Sequence, residues 1–552
     1  MPQTAHPDLS FYNKKDRPWL GRLDQSAIVG HTTATTSRLW MRVKRAGHYT
    51  LCVFNQPVRC DHPGVQVGRH WLEALHCHKE TVNIADGSRD FTHTFELTDL
   101  SPDTRYYYGI FSEDEKLWIL GQDSTLSFLT LPEERADHRS DITFGFYSCH
   151  MPFHPNSASS ANASLWTRFA EELKYANARC VLGGGDQVYA DGVPYLSIWN
   201  WLKKVQKYNP TQADMVSWYR DIYRGYWQFP DLQKVHRSFP NYMIWDDHEI
   251  MDGWGSYTDK ELSQQLDTLL RWEDEKRNVR LAKTMFKAAT QVYEEYQHSH
   301  NPVTAAGVWD YTFQLPESDT FVMDMRGCRD FQKKSHAILG KKQHQRLKDW
   351  AENLQEASER PGPIFVVSTV PLVHLREMVS NLLDWASIFG GRDDVRDHWA
   401  HESHQAEIVT LLDVLFGAAK RTRRPLVVLS GDVHIGGIFS LFSDKPEFKD
   451  VTVYQVTSSP VTYAALGPAK MAMLGKAVAP KGTIGCRPGE VMPEGKSCGY
   501  RFVNHRVFVQ NNIALVRYST EGQGIQQLSV ELIGEDVDRA MKESTRVDLL
   551  KL

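Results

Sequence analysis

Between Gln25 and Leu131, short segments alternate apolar and polar side chains with turn residues between them: SRLWMRV, HYTLCVF, THTFEL, RYYYGIF and TLSFLTL. Alternation at period two buries one face of a strand, so these segments predict a small all-β sandwich. A charged linker, EERADHRSD, follows, and the period then changes. Short apolar runs, ITFGFYS, ARCVLGG, NYMIW, TFVMDM, PIFVVST, PLVVLSG and VTVYQVT, now alternate with longer helical patterns. That is the signature of a layered α/β domain. Between Ser197 and His300 the pattern is helical and rich in Trp and Tyr. Helical aromatics usually belong to a core, and lining a substrate mouth is the alternative. The expected division is residues 1–135 and 136–552, with the helical insertion at about 197–300.

Each apolar run of the second domain ends in polar residues able to do chemistry: CHMPFH, GDQVYADG, DDHEIMDGWG, RGCRD, VPLVHLRE, DVHIGG and SSPVTY. Ligands of α/β sheets gather beyond the carboxyl ends of the strands, which is where these clusters fall. Cys149, Asp186, Tyr189, Asp246, Asp247, His248, Asp252, Asp432 and His434 make up the inventory. Singly, each has an ordinary explanation: a buried thiol, an interior histidine, aspartates in turns or caps. Packing alone has no use for the whole set. Anionic oxygen ligands such as phenolate suit a hard trivalent ion, and carboxylates suit a hard divalent one, so one carboxylate bridging two metals is chemically sensible. Two such cations clamp the attacking and leaving oxygens of a displacement at phosphorus, which points to phosphate-ester hydrolysis.

Composition narrows the partners. The 552 residues carry 63 Lys and Arg against 68 Asp and Glu, a formal net charge of -5, so nothing general favours nucleic acid. No apolar run is long enough to span a membrane and no export signal is evident, so a soluble, cytoplasmic chain is expected. Eight cysteines in this length do not make a disulfide scaffold. Cys486 and Cys498 read as unlinked thiols, with a loop-closing pair as the alternative.

Two resemblances sharpen the reading. LTDLSPDTRYYYGI resembles the corner of fibronectin type III and immunoglobulin-like domains, in which a Tyr hydroxyl closes on backbone groups, so Tyr106 to Tyr108 read as structural. SCH, GGGDQVYAD, WDDHE, DMRGCR and SGDVHIGG, in that order, resemble the alkaline phosphatase D-type (PhoD-like) branch of the calcineurin-like metallophosphoesterases. The resemblance covers most of the chain. It implies a layered metallophosphoesterase β-sandwich core flanked by helices, preceded by the fibronectin/immunoglobulin-like domain. It further implies a first metal, Fe(3+), on Cys149, Asp186, Tyr189 and His434. A second, Ca(2+), shares Asp186 and uses Asp432, with its remaining ligand Asp247 and Asp252 in reserve. Mn(2+), Mg(2+) or Zn(2+) are the alternatives to this pair of metal ions. The implied activity is a metal-dependent phosphoric ester hydrolase acting on a small phosphate ester through metal-activated hydroxide. His248 is then the proton donor, and Arg326 either forks onto phosphate or pairs with Asp324 or Asp330. His150, His154 and His374 are candidate pocket walls. Rival readings are a phosphodiesterase acting on lipid head groups, nucleotides or teichoic-acid-like polymers, a mononuclear iron redox centre, and a non-catalytic metal-binding scaffold.

Overall fold

The computed structural model describes residues 23–57, 77–120, 126–153, 161–191, 197–205, 210–271, 273–333, 337–373, 398–399, 401–463, 480–484, 499–534 and 544–552. His154, His374, Cys486 and Cys498 lie outside the described residues.

The amino-terminal strands are Ser26–Thr32 (β1), Ser37–Arg42 (β2), Gly47–Phe54 (β3), His78–Ile84 (β4), Thr92–Leu97 (β5), Arg105–Ser112 (β6), Leu117–Leu120 (β7) and Ser127–Leu129 (β8). They form a three-stranded sheet, β1-β2-β5, and a five-stranded one, β4-β3-β6-β7 with β8 paired to β6. Alternate residues, including Val29, Leu39, Met41, Leu51, Val53 and Ile110, fill the space between the sheets. The corner closes as expected: Ser101 N–H donates to the Tyr106 hydroxyl at 2.8 Å.

On β1 and β2 most residues of opposite parity are buried as well. Ile28 and Trp40 face each other across the pair and belong to the large core of the second domain. Burial on both faces is why the middle of β2, Leu39 to Met41, is a continuous apolar run. Trp40 packs edge-on against Trp227 and donates its indole N–H to the Glu295 carbonyl at 2.8 Å. Asp90, buried, pairs with Arg42 of its own domain and with Arg224 across the same boundary.

The second domain has two facing sheets. One is built from Ser140–Tyr147 (β9), Val181–Gly184 (β10) and Asn241–Ile244 (β11), all parallel. The other has a parallel centre; its strands are Tyr311–Leu315 (β12), Ser318–Val322 (β13), Ile364–Ser368 (β14), Leu426–Ser430 (β15), Gly436–Ser443 (β16), Thr452–Thr457 (β17), Lys481–Ile484 (β18) and Tyr500–Phe508 (β19). Their order is β12-β13-β14-β15-β17-β16-β19-β18. Asn512–Glu521 (β20), Gly524–Gly534 (β21) and Ser544–Asp548 (β22) return to extend the first sheet beside β9. Phe365, Val367, Val427 and Leu429 point into the inter-sheet core, where Phe144 meets Phe365 edge to face at 5.0 Å. Ile364, Val366, Leu426 and Val428 point the other way, onto an outer layer of helices. The result is the expected layered sandwich behind an all-β unit.

The helices are Ala161–Tyr175 (α1), Ile198–Val205 (α2), Gln212–Trp227 (α3), Pro230–Ser238 (α4), Asp259–Leu270 (α5), Glu275–Tyr296 (α6), Gly340–Asn353 (α7) and Gln405–Thr422 (α8). Thr211 and Thr258 start α3 and α5 with capping boxes, satisfying amide groups that the first turn leaves without partners. Trp201, Trp218, Tyr219, Tyr223, Tyr226 and Trp227 are all buried, so these aromatics of the insertion are core.

Candidate metal centre

Loops leaving β9, β10, β11 and β15 converge where the two sheets meet. Four of their residues, Cys149, Asp186, Asp432 and His434, have φ of 57°, 56°, 67° and 54°. Left-handed backbone is unfavourable for residues with a Cβ, and it gathers where surrounding structure over-determines a functional site. The preceding glycines permit the approach. Gly185 has φ +100°, and a Cβ there would stand 2.7 Å from that of Asp246. A Cβ on Gly431 would run into Ser148.

Glu249 anchors this convergence from below. Its carboxylate accepts the backbone N–H groups of Asp186 (3.1 Å), Gln187 (2.7 Å) and Asp246 (2.9 Å), plus the Gln297 side-chain amide (3.0 Å). Above it, the Cys149 Sγ is 3.4 Å from Asp186 Oδ2, and the Tyr189 hydroxyl is 3.2 Å from the same oxygen and 3.1 Å from His434 Nε2. Asp186, Asp246, Asp247 and Asp432 bring one oxygen each to within 4.8 Å of one another. Asp186, Asp247 and His248 form a second such group. Asp252 is exposed and stands outside both.

Arg326 is fully buried and donates to Asp246, reaches Asp247 at 3.5 Å, and bonds the Trp254 carbonyl at 3.2 Å. The sequence expectation put this guanidinium on phosphate or on Asp324 or Asp330. Its side chain lies under the carboxylate cluster, and its backbone N–H donates to Asp324 at 3.0 Å. Thr369, at the end of β14, adds a hydrogen bond to Asp246 at 2.8 Å. His150 is a core residue, held by Thr462 at 2.7 Å and ringed by Trp166, Tyr226 and Phe229.

His248 stacks on Tyr189 with ring centroids 4.2 Å apart, and its Nδ1 lies 2.7 Å from Asp191 Oδ1. Asp191 also accepts the Asp252 backbone N–H. Burial works to lower the His248 pKa, but Asp191, Asp247 and Asp186 outweigh it and raise it well above the usual value. Sequence reasoning missed Asp191, although it closes the stretch that supplies Asp186 and Tyr189. It also missed His398, 3.1 Å from Asp432, Ser459, 3.1 Å from the Cys149 sulfur, and Tyr463, whose ring lies 3.9 Å from that of His434.

The electrostatics favour a cation. Burial first, and neighbouring carboxylates next, push Asp186 well above the carboxylate range. Burial raises Asp246 to about 7, with Arg326 the main opposing influence. Burial, then Asp186, raise both the Cys149 thiol and the Tyr189 phenol. Asp186 Oδ1 and Asp246 Oδ2 are buried and have no hydrogen-bond partner among the described residues. Buried acceptors of this kind are costly unless paired, and a bound cation reverses the local pKa logic. The donors present, carboxylate, phenol, imidazole and thiol, fit a bound metal cation.

A family model described as PhoD-like phosphatase matches residues 144–503. Among solved structures, one titled "Structure of PhoD" aligns with a TM-score of 0.60 at 16% identity, covering 96% of this chain and 89% of that one. At that identity the likeness is one of fold. Among curated proteins, an uncharacterized Saccharomyces cerevisiae protein, YGR266W, is 24% identical over 354 residues. That match takes in 53% of this chain and 49% of the yeast protein, so the chain spans about half the length of that relative.

Proposed function

The chain belongs to the PhoD-like phosphatase family, and from that premise we propose that it hydrolyses small phosphate esters at a two-cation centre built on Asp186. The observation that carries the reading is the set of four aspartates, three buried and Asp432 half-buried, whose oxygens lie within 4.8 Å of one another. Cys149, Asp186, Tyr189 and His434 would hold one cation. Asp186, Asp247 and Asp432 would hold the other, with Asp246 beside them. The pair would supply Lewis acidity, acidifying a water and neutralising charge that grows on the phosphoryl oxygens. Fe(3+) with Ca(2+) suits the donor set, and Mn(2+), Mg(2+) and Zn(2+) suit its carboxylate part.

The remaining roles belong to the protein's own groups. With Nδ1 engaged by Asp191, Nε2 of His248 is the nitrogen that donates a proton to the departing alkoxide. The Asp191 carboxylate on Nδ1 favours the protonated ring, as an acid requires. Arg326 is assigned a positioning role, since its guanidinium fixes Asp246 and Asp247 from below. Glu249 holds the turns that aim Asp186 and Asp246.

The test is hydrolysis of p-nitrophenyl phosphate and bis(p-nitrophenyl) phosphate by metal-reconstituted protein, with and without chelator, beside Asp432→Asn. The reading requires turnover of at least one ester that chelator abolishes and the variant loses. Turnover indifferent to both, or no turnover of any phosphate ester, would sink it.

A further inference from the structure

Behind Arg326 and Trp254 lies a separate cleft of about 930 Å³. The two sites share a wall: Trp254 lines the cleft, while its carbonyl accepts from Arg326, which holds Asp246 and Asp247. Five cationic side chains, Lys283, Arg329, Lys333, Lys341 and Lys342, line the cleft against Asp259 and Asp330. Those two carboxylates have local partners, Asp330 with Lys333 at 3.6 Å and Asp259 with the Gln332 amide at 3.1 Å. Lys283, Lys341 and Lys342 are exposed and make no ion pair among the described residues. In a chain of net charge -5 this local excess is not an average property of the surface.

Neighbouring features agree. Lys283 also belongs to a smaller groove where Lys276, Arg280 and Lys287, at helical spacing along one face of α6, outnumber Asp259 and Glu275. Gly340 lines the cleft at the start of α7, whose first turn contains no acidic residue. Trp254 stacks flat on Phe286 at 4.9 Å, which makes the wall rigid.

We propose that this cleft is a second anion site that binds the phosphate groups of an oligophosphate-type anion apart from the metal centre. Several ammonium groups held around one cavity favour a ligand with several closely spaced negative charges over a single one. Such a ligand is either a remote part of a multiply phosphorylated substrate or a free oligoanion acting as an effector.

Inorganic tripolyphosphate is the probe, titrated calorimetrically into the metal-loaded protein at low salt. The comparison is with Lys283→Gln/Lys341→Gln/Lys342→Gln and with the matching triple Arg variant. Loss of three charges should weaken binding by about tenfold or more, and added salt should erode the difference. The Arg variant should keep binding, and p-nitrophenyl phosphate turnover and the unfolding midpoint should stay unchanged in both. Equal tripolyphosphate affinity in wild type and Gln variant overturns the proposal. So does a loss in the Gln variant that the Arg variant shares. If binding falls, a raised KM for a bisphosphorylated ester but not for the monoester identifies a substrate subsite, whereas unchanged KM values identify an effector site. Lysine-dependent binding by a protein that hydrolyses no phosphate ester would uphold the cleft and sink the phosphatase reading, so the two fail separately.

Discussion

Replacing Asp191 with Asn tests how the proposed acid is held. The carboxylate is 3% exposed, and its Oδ1 lies 2.7 Å from His248 Nδ1. Asn keeps the shape and removes the charge. A hydrogen bond between charged partners contributes about 1.5–3 kcal/mol, more than a neutral one. If that interaction is needed to present a protonated imidazole to the leaving group, its loss lowers kcat by about 10- to 100-fold. The pH profile separates this from plain damage. With Asp191 neutral, the burial that already works to lower the His248 pKa meets less opposition. The alkaline limb of kcat, which belongs to an acid that must stay protonated, therefore moves to lower pH. Metal content should be unchanged, because Asp191 is in neither carboxylate group. Steady-state kinetics from pH 5 to 10, with elemental analysis on the same samples, give the answer. Unchanged kcat with an unmoved alkaline limb would refute the reasoning, and loss of metal would show that Asp191 supports the centre rather than the acid.

Other expectations follow from buried charge and packing. Arg326→Met should destabilise the fold by about 3–5 kcal/mol, because it strands Asp246 and Asp247 in the interior; a chemical denaturation midpoint equal to wild type would contradict this. Trp40→Ala should cost about 3–5 kcal/mol by opening a cavity between the domains, read as a lower thermal midpoint. Burial lowers His236 to about 3 and His298 to about 4, and lowers His300 as well. Below pH 6.5 the unfolded chain takes up protons that these folded-state histidines refuse. Their contribution is complete above pH 6.5 and falls by up to about 1.4 kcal/mol per histidine per pH unit as pH drops toward the folded values. Urea midpoints that do not move between pH 7 and 5 would contradict it.

The elements legible in the sequence are those whose local pattern matches their burial. The short apolar runs ending at Tyr147, Gly184, Ile244, Ser368 and Ser430 appear as β9, β10, β11, β14 and β15, and the polar residues after them sit where the sheets converge. The edge strand β4, HKETVNI, buries only Ile84 fully, so little apolar signal marks it. Strand β20 joins its sheet through pairs such as Ala514 with Phe146, a contact that nothing local reveals. The candidate site divides the same way. Most motif residues carry their chemistry openly, but Asp191, though inside GGGDQVYAD, shows its role only through its contact with His248, and His398 and Ser459 enter through loop geometry. For Arg326 a D-x-R segment offers a phosphate fork or a local ion pair, and does not disclose the distant partners Asp246 and Asp247.

The central claim is a two-cation centre bridged by Asp186, and metal stoichiometry tests it most directly. Elemental analysis of the purified protein, loaded with iron and divalent cations, should find two metals per chain, and Asp186→Asn should lose much of both. A protein that stays metal-free after loading, or a variant that binds as much metal as wild type, would contradict the account.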